Sequence, residues 1–183
     1  MKKVVLIIIL ILPFWIQAQV IEPAPADKAT VYFVRASGLG ALINFTYFDS
    51  TKVIGKFNGP KYIRYECDPG EHLFWVRSEN KDFVRANLEA GNIYLIEVVP
   101  QMGAFKASVR LKPVNSTDYK LKKIKKLLAK KEPEAFSEQE LQALQLEMEE
   151  VIERGMEKCQ DEQTHIKVHN GTTFTPDQLV YIK

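Results

Sequence analysis

The sequence predicts a mainly β protein with a helical C-terminal appendage: an antiparallel β-sandwich over residues 28–114 followed by an α-hairpin. Three observations carry this. Between Ala29 and Val114 the chain is a succession of short runs rich in Val, Ile, Phe and Tyr, separated by Gly, Pro, Asn and Asp, as strands and their turns are. No amphipathic helix of useful length interrupts them, which favours a sandwich or barrel over an α/β fold. From residue 115 onward the pattern changes to charged segments with apolar residues at helical spacing.

The N-terminus carries Lys2 and Lys3, an apolar run from Val4 to Ile16, and the small residue Ala18, the three parts of a secretory signal in order. The run is shorter than the roughly 20 residues a membrane span needs, contains Pro13, and gives way to the polar stretch QVIEPAPADK. Residues 1–19 are therefore expected to be a cleaved signal peptide, and the product to be periplasmic, extracellular or at the cell surface. No cysteine stands near the junction, so no lipoprotein anchor is expected. Lys2 and Lys3 account for the whole formal charge of +2. Without them the chain has no net field to draw it to nucleic acid, and export sets that partner aside.

Seven or eight runs read as strands: TVYFVRA, LINFTYFD, KVIGKF, KYIRYEC, HLFWVRS, FVRANLE, NIYLIEVV and FKASVRLK. Two of them are apolar on both faces. His72, Phe74 and Val76 oppose Leu73 and Trp75, and Ile93 and Leu95 oppose Tyr94, Ile96 and Val98, whereas a strand with one wet face alternates cleanly. These are expected to be central strands whose outward face is covered by the rest of the chain. Residues 115–165 read as a basic and then an acidic helical segment. Leu121, Ile124 and Leu128 recur at helical spacing within KLKKIKKLLAKK; Ser137 with Glu140 makes a capping box before the stripe Leu141, Leu144, Met148, Val151 and Ile152. The net charges, +6 over residues 115–131 and −9 over 132–162, suggest a hairpin whose arms attract. Residues 166–183 read as an extended tail.

The order of VYFVR, a Gly-containing insert, KVIGKF, GPKY, DPGEHLFWV and EAGNIYLIEV resembles the bacterial family called domain of unknown function 2846, over about residues 28–112. Its most specific pieces are the turn Pro69-Gly70-Glu71-His72 and the Gly91 turn before Tyr94. The resemblance implies a small exported sandwich, transthyretin-like and PEGA-like in outline, and no reaction.

No catalytic constellation assembles from the sequence. His72, after the Pro69-Gly70 turn, is expected to be a half-buried turn histidine, because Glu71 points to the opposite face of the strand. His165 and His169 are four apart, but IKV between them favours a strand, and no third metal ligand is near. Gly38-Leu39-Gly40 lacks the third glycine of a dinucleotide fingerprint, and Asn170-Gly171-Thr172 reads as a turn. Cys67 and Cys159 leave one disulfide or two free thiols open. Lys120, Lys122, Lys123, Lys125 and Lys126 are candidates for contact with an anionic membrane surface. The expectation is a non-enzymatic module of the cell envelope with no cofactor and no metal. It binds an envelope protein or itself through a sheet edge or the loops 36–41 and 78–82; the alternative is an accessory subunit docking through its acidic helix.

Overall fold

In the computed structural model, which describes residues 20–102, 107–161 and 163–182, eight strands form two packed sheets. They are β1 (Ala29–Arg35), β2 (Phe45–Asp49), β3 (Lys52–Phe57), β4 (Lys61–Cys67), β5 (Gly70–Arg77), β6 (Lys81–Leu88), β7 (Ile93–Met102) and β8 (Ala107–Pro113). A two-residue β9 (Lys167–Val168) joins an edge, so the sheets run β4-β1-β7-β8 and β3-β2-β5-β6-β9. Residues 1–19, expected to be the signal peptide, lie outside the described residues, as do residues 105–106 at the start of the eighth run.

The sandwich is mixed, not wholly antiparallel: β1 pairs parallel with β7, and β6 with β9. Each connection from β1 to β8 reverses the chain, so odd-numbered strands share a direction. β1 and β7 can then neighbour each other only in parallel.

Between the sheets lies a core that includes Val31, Phe33, Tyr47, Phe74, Val76, Tyr94 and Ile96. The alternate residues of the same strands point outward and are buried too. On the first sheet Tyr32, Val34, Ile93 and Leu95 are covered by Ile21, by α1 (Leu121–Leu128) through Ile124 and Leu128, and by Phe174 and Leu179 of the tail. On the second, Phe48, Trp75 and Phe83 are covered by Met148, Val151, Ile152 and Cys159. These belong to the bend after α2 (Glu138–Glu147) and to α3 (Glu149–Asp161). The expectation that both faces of β5 and β7 are covered by the rest of the chain holds.

The helical hairpin does not. α1 and α3 belong to apolar clusters on opposite outer faces, and the chain between them rounds the β3/β4 edge, where the Glu134 amide donates to the Tyr62 carbonyl and Phe136 packs on Gly55 and Ile63. Ser137 caps α2 as a capping box, but the apolar stripe bends at Met148. α2 rides the β3 edge, where Gln145 accepts from the Val53 amide and donates to the Thr51 carbonyl, while α3 lies on the sheet face. Nor is the tail merely extended. Thr175-Pro176-Asp177-Gln178 forms a capping box with Pro in the first turn of α4 (Pro176–Leu179).

A disulfide between Cys67 and Cys159 is not formed; both thiols are free. Cys67 faces the inter-sheet core and Cys159 the cluster outside the second sheet, so a layer of strand separates them.

Two measurements check this layering. α3 passes Trp75 so closely that a Cβ on Gly155 would sit 2.7 Å from Trp75 Cη2. Gly155→Val is expected to destabilise by about 1–3 kcal/mol in urea unfolding, and an unchanged midpoint refutes the seating of α3 on Trp75. Truncation after Val114 uncovers Trp75, Phe48, Tyr32 and Leu95, so the fragment is expected to bind a hydrophobic dye and aggregate; a soluble, dye-silent fragment refutes the covering role.

Candidate functional site

Because every connection reverses the chain, the loops collect at two ends of the sandwich. One end gathers the turns at 50–51, 68–69 and 89–92 with the entry to β1. Gly70 (φ +125°) and Gly91 (φ +73°) have backbone angles that side chains disfavour, which is why glycine follows Pro69 and precedes Asn92. The Gly91 amide donates to the Lys28 carbonyl, the Glu89 amide donates to the Tyr94 hydroxyl at 2.9 Å, and Lys28 pairs with Asp68 at 2.6 Å. Gly70 and Gly91 thus stand in two turns at this end, and His72 and Tyr94, on the strands that follow, bond back to the Asp68 carbonyl and the Glu89 amide.

His72 is the most constrained titratable group there. Its Nδ1 lies 2.8 Å from Asp49 Oδ2 and its Nε2 lies 2.8 Å from the Asp68 carbonyl, which can only accept. Both ring nitrogens therefore donate when the ring is charged. The hydrogen bond to Asp49, then the Cys67 thiol beside the ring, push its pKa up to about 10 against the opposing cost of burial. Tyr65 also donates to Asp49, at 3.1 Å, and burial with that carboxylate raises its pKa.

An open cleft of ≈ 400 Å³ borders this cluster, with Ser50, Glu71, Arg85 and Asn87 among its lining residues. His72 offers it no free lone pair, and Cys67, 7% exposed and turned to the core, is not among the lining residues. An imidazolium that donates from both nitrogens cannot accept a proton, so it cannot serve as a general base. The arrangement fastens the Ser50–Thr51 turn to the Asp68–Pro69 turn.

The other end gathers loops 36–44, 58–60 and 78–80. Arg35 closes the core there. It is buried, its guanidinium lies 4.1 Å from the Phe45 ring centroid, and it donates to the carbonyls of Ile43 (2.8 Å), Gly40 (2.6 Å) and Leu39 (3.2 Å). Three charge-assisted bonds from one side chain fix the loop from below while Leu39 and Leu42 face water, Leu42 at 90% exposure. Sequence reasoning missed Arg35; its signal was a charge on the inward parity of β1, in register with Val31 and Phe33.

Loop 78–82, expected as a second contact surface, is committed internally. The Asn80 side chain accepts from the Val109 amide (2.7 Å) and donates to its carbonyl (2.9 Å), and Asp82 accepts from the Leu111 amide and from Lys167. Side chains of the β5–β6 hairpin thus cap the β8 edge.

His165 is exposed, whereas His169 is buried, accepts at Nδ1 from the Gly171 amide and meets the edge of Tyr94. Burial lowers its pKa. Among the described residues no three His, Cys, Asp or Glu side chains converge as a metal site, and no helix is long and apolar enough to cross a membrane. Lys120 pairs with the buried Glu97 at 3.3 Å, while Lys122, Lys123 and Lys126 stand exposed on α1. No protein-family model and no curated protein matches the chain.

The His72 pairing sets a pH dependence. A folded pKa raised from 6.5 to about 10 gives stability that is complete below pH 6.5 and lost as pH rises through 10. His72→Gln is expected to be about 1.5–3 kcal/mol less stable than the parent near pH 6, and the gap to close by pH 10. Urea unfolding across that range checks it; a gap independent of pH means that His72 is uncharged.

Proposed function

We propose that the protein is a non-catalytic binding module of the cell envelope that engages a protein partner through loop 36–44. The observation that carries this reading is Arg35. A buried cation spent on three loop carbonyls holds the loop in one shape, and two leucines project from it into water. A loop ordered before binding loses little entropy on contact, and apolar side chains on a rigid scaffold are how such modules make contact. The committed ring nitrogens of His72 support the non-catalytic part. Export and membership of the domain of unknown function 2846 remain part of the same proposal, resting on residues 1–19 and on the turn motifs.

A second reading, docking through the acidic helices, is favoured by one observation: α2 buries no residue, and its Leu146 is 69% exposed beside an open groove. α3 is already spent on the sheet, so this reading narrows to α2.

The two surfaces are separable by substitution. Leu42→Asp is expected to abolish recovery of a co-purifying envelope protein, and Leu146→Asp to leave it intact, with both variants within about 0.5 kcal/mol of parental stability. Recovery lost only with Leu146→Asp transfers the role to α2, and recovery lost with neither refutes both readings.

A further inference from the structure

The lysines of the basic segment remain unclaimed by the fold. Lys122, Lys123, Lys125, Lys126, Lys130 and Lys131 have no ion-pair partner among the described residues, because the acidic helices expected to neutralise them lie across the sandwich. α1 turns Ile124 and Leu128 to the sheet and therefore directs Lys122, Lys123 and Lys126 outward.

This face is not purely cationic. Tyr119, just before α1, is 83% exposed, with Lys112 and Lys120 ammonium groups 5.6 and 5.8 Å from its ring. The chain after α4 runs beside α1, where Val180, Tyr181 and Ile182 line a groove with Lys122 and Lys125, and Ile182 is 83% exposed. Exposed aromatic and aliphatic side chains interleaved with lysines suit the boundary between lipid headgroups and acyl chains.

One further fact orients the molecule. α3, within the segment of net charge −9, lies on the opposite outer face and α2 along the β3 edge, so an anionic surface attracts the α1 side and repels the α3 side.

We propose that the face formed by α1, Tyr119 and residues 180–182 is a peripheral membrane-binding surface for anionic phospholipid. The lysines sit over the phosphates, and Tyr119, Val180 and Ile182 enter the interfacial layer. The site is independent of the loop 36–44 reading, since it lies on a sheet face and not at the strand ends.

The test is co-sedimentation of residues 20–183, which contain every residue of the three apolar clusters, with phosphatidylglycerol or phosphatidylcholine vesicles. Binding is expected to phosphatidylglycerol alone and to weaken in 1 M salt, where the screening length shrinks to about 3 Å. Each lysine near such a surface contributes about fivefold, so Lys122→Gln, Lys123→Gln and Lys126→Gln together are expected to weaken partitioning by about a hundredfold. These side chains are exposed, so the triple variant is expected to melt with the parent. Should it misfold, Tyr119→Ser with Ile182→Ser supplies the second arm, expected to weaken binding to the anionic vesicles. Equal binding to both vesicle types, parental binding by the lysine triple variant, or concentration-dependent self-association without vesicle binding each overturns the proposal.

Discussion

Both sheets are apolar on both sides, and the path of the chain after Val114 follows from keeping two outer faces from water. Trp75, Phe48 and Phe83 on one face and Tyr32, Val34 and Leu95 on the other are each worth about 1.5–3 kcal/mol when buried. One appendage has to reach both faces. It lays α1 on the first sheet, rounds the β3/β4 edge at Glu134 and Phe136, lays α3 on the second, and returns through β9 to bring Phe174 and Leu179 back beside α1. A Cys67–Cys159 bridge would contribute about 2–4 kcal/mol, but it would have to draw one thiol through a strand of the second sheet and undo the packing around Trp75. Burial of the aromatic face outweighs the bridge, and the thiols stay apart.

The same wrapping disposes of the sheet edges, which otherwise invite pairing with other chains. Asn80 and Asp82 bond to the β8 backbone, Gln145 to β3, and the Glu134 amide to β4, while β9 is only two residues long. These bonds occupy part of the hydrogen-bonding capacity that a bare edge would offer to an added strand.

The strands were legible because their signal is local. Val, Ile, Phe and Tyr between turn residues marked all eight runs, and the two-sided apolar pattern of β5 and β7 announced that covers were needed. The Ser137 capping box was legible for the same reason, and Thr175-Pro176-Asp177-Gln178 carried the same signature unread. The missing parts are pairings between distant residues. Nothing local in β1 says that it will lie beside β7. Arg35 is the exception: its carbonyl partners are near in sequence, at Leu39, Gly40 and Ile43, but their direction depends on the path of the loop. At the turn end His72 stands on β5, two residues past Gly70, with its ring on the Asp68 carbonyl. Its partner Asp49 lies 23 positions away on another strand, beyond any spacing rule.

The misplaced hairpin shows which force a charge pattern reports. Segments of +6 and −9 look made for each other, yet exposed ion pairs yield about 0.2–1 kcal/mol and are screened by salt. Burying Ile124 or Ile152 against a sheet is worth about 1.5–3 kcal/mol each. The apolar stripes therefore decide where the helices go, and the charges follow on the outward faces. A hairpin would have spent both stripes on each other and left Trp75 and Leu95 in water. Because the two sheets stand between α1 and α3, the lysines of α1 face one side of the sandwich and the carboxylates of α3 the other, while Glu134 and Glu147 pair with Lys61 and Lys56 at the β3/β4 edge.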